Sequence, residues 1–255
     1  MYNKQLADLL FPDVTLTPDD MEKLYPVRDL DSDAFVTRIG PSPTGFIHLG
    51  NLYNAIIAER LAHQSNGRFF LRIEDTDNKR IVPGAVQMII SAMEYFGIYF
   101  DEGAVMEGDK GAYGTYRQRQ RKNIYHVYAK YLVEKGLAYP CFCSEEQISA
   151  IREKQISLKL TTGYYGEWAS CRDMSLDEIK KRIDASQPYV LRFKADYNNT
   201  VDIIVNDAIR GELRFPPNTL DFVLLKSDGI PTYHFAHVVD DHLMRTSHVI
   251  RGEEW

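Results

Sequence analysis

Residues 38–50 read Arg-Ile-Gly-Pro-Ser-Pro-Thr-Gly-Phe-Ile-His-Leu-Gly. A short apolar run, Phe35–Ile39, leads into this stretch. A run with helical character, Asn51–His63, leads out of it to an Asn66-Gly67 stop. Strand, then a loop broken by proline and glycine, then helix: that order fixes one βα unit. The free N–H groups at the start of such a helix attract anions, and Gly50 lets a phosphate come close to the backbone. The spacing fits neither a P-loop nor a dinucleotide fingerprint.

The unit recurs. Phe69–Ile73 reads as a second strand and Ala85–Phe96 as a second helix, with Val86, Ile89, Ile90, Met93 and Phe96 at the helical period. Tyr116–Glu134 reads as a third helix with Ile124, Tyr128, Tyr131 and Leu132 on one face. Alternating strands and helices predict an α/β fold, a Rossmann-like, doubly wound and mostly parallel sheet. Residues 1–35 form a helical extension before it, with Thr17-Pro18-Asp19-Asp20 as a capped helix start. Residues 36–138 are the first part of the sheet domain. The pattern breaks near Cys141, and residues 139–220 read as an inserted α+β subdomain. It carries capping-box patterns at Ser144 and Ser175 and short strands at Tyr189–Phe193, Asp202–Val205 and Glu212–Phe215. Residues 221–255 return to the sheet domain through strands at Asp221–Leu225 and Ser247–Ile250, with a helix at His234–Leu243 between them. Arg251–Trp255 then sits at a strand end, where functional residues of parallel sheets collect, so the sequence is expected to be truncated.

A formal net charge of −6 excludes a uniformly basic nucleic-acid coat and leaves room for a local basic patch. No run approaches the roughly 18 apolar residues of a membrane span, and no secretory pattern opens the chain. The expected compartment is the cytoplasm, with the three cysteines reduced or metal-bound.

Several groups of residues carry candidate chemistry. His48 stands where a donor meets phosphate charge as it builds, and Ser42 and Thr44 add hydroxyls; alone, His-x-Gly is also an ordinary turn. Arg72, Glu74, Asp75 and Asp77 close the second strand. Their acids suit an ammonium group, Mg2+ or plain solvent, and Glu74, directly after Ile73, is best placed. Strand alternation sends Glu74 and Asp75 to different faces. Arg38 and Arg251 end two separate strands. Two guanidinium forks suit a substrate with a second acid group; the alternative is pairing with acids of the same turns. Cys141, Cys143 and Cys171 are the only cysteines. Thiolates favour zinc, with Tyr165, Tyr164 or a water as fourth ligand, against a reading as small core residues. Arg117, Arg119, Arg121 and Lys122 read as a solvated helix face rather than a phosphate contact. Tyr233 and Trp255 either wall a pocket or pack.

Together these stretches resemble the catalytic domain of class I aminoacyl-tRNA synthetases, in the bacterial glutamyl branch. The resemblance rests on Arg38–Asn51, Arg72–Asp77, Asp221–His234, Val238–Leu243 and Arg251–Trp255, and covers residues 35–255. Pro-Ser-Pro-Thr-Gly and Arg-Ile-Glu-Asp-Thr-Asp favour the glutamyl over the glutaminyl branch. The resemblance implies that His48, Gly50, Thr44 and Asn51 serve ATP, Asn51 standing where the general class signature ends in histidine. It implies Arg38 and Arg251 for the side-chain carboxylate of glutamate, Glu74 for its α-ammonium, and Ser42 and Tyr233 as pocket lining. The inserted subdomain would contact the acceptor end of tRNA, and Cys141, Cys143, Tyr165 and Cys171 would hold Zn2+. The implied activity is ATP-dependent activation of L-glutamate, with Mg2+ offsetting phosphate charge, then transfer to the terminal ribose of tRNA by a cytoplasmic monomer. The family's Lys-Met-Ser-Lys-Ser-like signature has no match in this sequence, so the chain alone is expected to be weakly active or inactive. Rival readings are a paralogue that glutamylates a tRNA base, a nucleotidylyltransferase on the same fold, and a non-catalytic tRNA-binding fragment.

Overall fold

The computed structural model describes residues 2–252, the side chain of Asn78 apart. In chain order, α1 (Tyr2–Leu10) and α2 (Pro18–Leu24) precede β1 (Val36–Ile39), α3 (Leu49–Gln64), β2 (Arg68–Leu71), α4 (Ala85–Tyr95), β3 (Glu102–Ala104), β4 (Asp109–Lys110) and α5 (Lys122–Glu134). Then follow β5 (Ala138–Cys141), α6 (Glu145–Ser157), α7 (Leu176–Asp184), β6 (Val190–Phe193), β7 (Ile203–Asp207), β8 (Gly211–Phe215), β9 (Val223–Leu225) and α8 (Tyr233–Leu243). The chain divides into two compact units. One joins the described residues of 1–14 to 129–229, and the other joins 15–128 to the described residues of 230–255.

In the second unit β1, β2 and β3 are parallel and lie side by side in that order, with β4 antiparallel beyond β3. Each parallel crossover carries a helix, α3 and then α4, as same-direction strands require. Phe69, Phe70 and Leu71 are all fully buried, a strand covered on both faces. α3 meets this core through Ala55, Ala58 and Ala62, while Ile56 is exposed. Leu52 packs against the same core while only partly buried; the small alanine side chains let the helix lie close to the sheet. α4 buries Ile89, Ile90 and Met93 of its expected face, with Val86 partly buried beside them, while Phe96 is exposed.

Two further expectations are corrected here. Tyr116–Glu134 is not one helix. Its first residues lie extended beside Ile73, whose N–H donates to Tyr116 O (2.8 Å) and whose carbonyl accepts from Gln118 N–H (3.0 Å); a short 3-10 turn, Gln118–Arg121, leads into α5. Nor do residues 247–250 form a strand. Ser247 Oγ takes the Val36 N–H (2.8 Å) where a ladder would need a carbonyl. The Ser247 and His248 N–H groups both converge on Val36 O, at 2.9 and 3.2 Å. Phe35 and Ile39 turn their carbonyls the other way, to Arg68 and Arg72. β1 thus has chain on both sides, β2 on one and residues 247–248 on the other.

The first unit holds an antiparallel sheet, β5-β6-β9, and the β7-β8 hairpin. Asp221–Leu225 was expected to rejoin the parallel sheet; instead β9 pairs with β6. Buried Asp221 anchors it there, accepting from Tyr139 Oη (2.5 Å), Arg172 Nη1 (2.7 and 2.8 Å) and Ala195 N–H (2.9 Å). The N-terminal extension is divided. α1 belongs to this unit, where Lys130 Nζ takes the Phe11 and Val14 carbonyls at 3.4 and 3.0 Å. α2 belongs to the other, capped reciprocally by Thr17 and Asp20. Ser144 and Gln147 form the expected capping box, while Ser175 caps Glu178 N–H without the return arm, because Glu178 pairs with Arg182 at 2.8 Å.

Candidate active site

Open parallel sheets bind ligands beyond the carboxyl ends of strands, where the chain leaves to opposite sides. The carboxyl end of β1 is such a place, and a cavity of about 310 Å³ opens there. Arg38 reaches it from β1, Ser42 and Thr44 from the following loop, His48 and Asn51 from the start of α3, and Glu74 from beyond β2. Tyr233 and His237 reach it from α8, and Arg251 from the segment after it. Every residue read from the sequence as catalytic or substrate-binding lines this one cavity except Gly50. Trp255 lies outside the described residues.

The part formed by the loop after β1 and the start of α3 is open. Ser42, Thr44, His48 and Gly50 are exposed. His48 is extended at the N-cap, its own N–H donating to Asn51 Oδ1 at 3.3 Å, so Asn51 fixes the first turn of α3. The Gly50 position is tight, since a Cβ there would stand 3.2 Å from the His48 ring.

The other part is a buried charge lattice. Arg38 is gripped by Asp241 of α8, Nε at 3.2 Å and Nη2 at 3.1 Å, and not by acids of its own turn. Arg72, fully buried, donates to Asp241 Oδ1 (2.6 Å) and Glu74 Oε1 (3.1 Å). His237 Nε2 lies 2.8 Å from Glu74 Oε1. Its ring lies 4.1 Å from that of Tyr233, centroid to centroid. Burial by itself would raise the Glu74 carboxyl; His237, Arg72 and Arg38 outweigh it and hold Glu74 below its ordinary value. Glu74 also explains Gly40, where a Cβ would sit 2.0 Å from Glu74 Oε1. Asp75 points elsewhere, accepting the Arg119 N–H at 2.8 Å, and Asp77 caps its own turn through Lys79 N–H and Arg80. Of the three acids only Glu74 lines the cavity.

The basic run is not a solvated face. Arg121 is buried on Asp240 (2.7 Å), which also accepts from Gln118 (2.9 Å) and Tyr125 (2.8 Å). Arg117 pairs with Asp109 at 2.6 Å.

In the first unit the Cys141, Cys143 and Cys171 sulfurs lie within 4.8 Å of one another. Cys143 and Cys171 are 3.7 Å apart, and tetrahedral zinc with Zn–S bonds of about 2.3 Å sets its sulfurs about 3.8 Å apart. Hydrogen bonds from Cys143 and Cys171 hold the Cys141 thiol well below its ordinary value, which favours a thiolate. The Tyr165 expectation is corrected: its hydroxyl donates to Thr161 O at 2.7 Å. Tyr164, one residue back, is the phenol at the cluster, 3.2 Å from Cys143 Sγ.

A family model described as tRNA synthetases class I (E and Q), catalytic domain, matches residues 34–255. The chain belongs to that family. A glutamate–tRNA ligase of Acetivibrio thermocellus is 56% identical over 253 residues, covering 99% of this chain and 46% of that protein. One from Clostridium perfringens strain 13 is 53% identical over 256 residues, 100% of this chain and 47% of the relative. A solved glutamate tRNA ligase from Elizabethkingia meningosepticum, described in complex with its amino acid, matches with a TM-score of 0.79 at 39% identity, over 87% of this chain and 44% of that one. The chain spans about half the length of the curated relatives it matches.

For a class I synthetase domain, the sequence reading missed Gly40, His237 and Asp241. Gly40 carries a signal, a glycine directly after a strand and before Pro41. His237 and Asp241 share one face of α8 at helical spacing, but nothing local says that this face meets β1.

Proposed function

We propose that the cavity binds L-glutamate beside ATP and activates it. Arg38, through the edge that Asp241 leaves open, and Arg251 take the side-chain carboxylate, and Glu74 takes the α-ammonium. Ser42 and Tyr233 line the amino-acid pocket, while Thr44, His48, Gly50 and Asn51 serve the phosphates at the start of α3. The α-carboxylate attacks the α-phosphorus of ATP, pyrophosphate leaves, and a terminal ribose hydroxyl of tRNA then takes the glutamyl group from AMP. No protein nucleophile takes part; positioning and charge stabilisation carry the rate. Mg2+ bound with ATP offsets phosphate charge. The subdomain at 139–220 contacts the tRNA acceptor end, and Cys141, Cys143, Cys171 and Tyr164 hold Zn2+ as a structural clip. The protein acts in the cytoplasm as a monomer. Among the described residues no helix is long and apolar enough to cross a membrane.

The observation that carries this reading is that Arg38, Arg251 and Glu74 line one cavity with His48. Names of the relatives support transfer to tRNA over modification of a tRNA base. In the full reading frame that carries this chain, Arg251→Ala is expected to raise the KM for glutamate about tenfold or more and leave that for ATP unchanged. Parent-like glutamate use in glutamate-dependent pyrophosphate exchange would remove the two-arginine clamp.

A further inference from the structure

Arg38 lines the cavity with half of its fork already engaged. Asp241 holds it side-on, Oδ1 on Nε and Oδ2 on Nη2. Nη1 has no protein partner among the described residues. The same Oδ1 accepts from Arg72 Nη1 at 2.6 Å and from Thr246 Oγ1 at 3.3 Å. Arg72 in turn holds Glu74 at 3.1 Å. One carboxylate therefore fixes two guanidinium groups, and the second of these fixes the acid that lines the cavity. Burial would push the Asp241 carboxyl up; the Arg72 and Arg38 charges hold it well below the usual carboxylate range.

We propose that Asp241 is the positioning residue of the amino-acid site, setting which edge of Arg38 meets the ligand's side-chain carboxylate and, through Arg72, where Glu74 stands. The proposal rests on the reading of the cavity as a glutamate site. A guanidinium is planar and its donors leave in fixed directions, so holding the Nε–Nη2 edge determines the direction of Nη1. Simple charge counting makes the opposite forecast, which separates the two ideas. Four guanidinium groups, Arg38, Arg72, Arg121 and Arg251, stand with three carboxylates, Glu74, Asp240 and Asp241, leaving a positive site for a substrate with one net negative charge. Asp241→Asn makes the site more positive. If only the field mattered, glutamate would bind better. If the held edge matters it binds worse, because an amide turns a donor toward one of the two arginines.

The test uses glutamate-driven pyrophosphate exchange, with tRNA present, by the full reading frame, for the parent, Asp241→Asn and Asp241→Glu, with melting curves for each. Both variants are expected to raise the KM for glutamate about tenfold or more and leave the KM for ATP within about twofold. Asp241→Glu keeps the charge and moves the carboxylate by one methylene, so a loss there belongs to position alone. An unchanged or lower KM for glutamate in Asp241→Asn overturns the proposal. A folded parent that shows no exchange with glutamate overturns the glutamate reading instead. Should neither variant fold, Thr246→Val carries the test: a several-fold rise in the KM for glutamate is expected, and no change overturns the proposal.

Discussion

Glu74 and Asp241 keep their negative charge inside the protein only because Arg72, Arg38 and, for Glu74, His237 stand against them. Both carboxyls lie below their ordinary values in the fold. Each therefore contributes stability that is complete above the unfolded carboxylate range, about pH 4, and is lost as pH falls through the lower folded value. Melting temperature against pH should show a steep acid limb. In Glu74→Gln that limb is expected to flatten; an unaltered limb would show that the Glu74 pairing adds nothing to acid stability. The lattice was only half legible in the sequence. Arg38 and Glu74 stand at strand ends and advertise themselves, but Asp241 is 203 positions from Arg38. Only the fold brings a guanidinium and a carboxylate so distant in the chain to hydrogen-bonding distance.

The βα unit from β1 to α3 was readable because proline, glycine and helix-start signals agree within a few residues. Its buried face was not. The residues that lie flat on the sheet are the small Ala55, Ala58 and Ala62, which no apolar period singles out. The segment at 247–250 failed as a strand for an equally local reason: a serine hydroxyl takes the hydrogen bond that a ladder needs. Gly40 is where this element meets the site. Gly40→Ala would put a methyl into Glu74 and push it off Arg72 and His237, so glutamate use should fall about tenfold or more and the melting temperature should drop with it. Parent-like kinetics would mean that Glu74 has room to move and that its position is not critical.

At the scale of the whole molecule, α/β alternation was legible, but the extent of the unit that holds the cysteines was not: it begins at Ala129, inside α5, rather than near Cys141. That unit takes in α1 and β9, recruited by Lys130 and Asp221 through contacts distant in sequence. The three cysteines fell close together in the sequence, yet the choice between two adjacent tyrosines depends on which one the chain turns inward. Elemental analysis of purified protein is expected to find about one zinc per chain. Chelation should lower the melting temperature, and Tyr164→Phe should weaken zinc retention more than Tyr165→Phe does; metal-free protein with an unshifted melting curve would refute the clip.

The most direct measurement is a crystal structure of this chain with L-glutamate and ATP. The side-chain carboxylate is expected within hydrogen-bonding distance of Arg38 and Arg251, the α-ammonium at Glu74, and the triphosphate at the start of α3 beside His48. Glutamate bound elsewhere, or with its ammonium on the far side from Glu74, would contradict the two-arginine cleft.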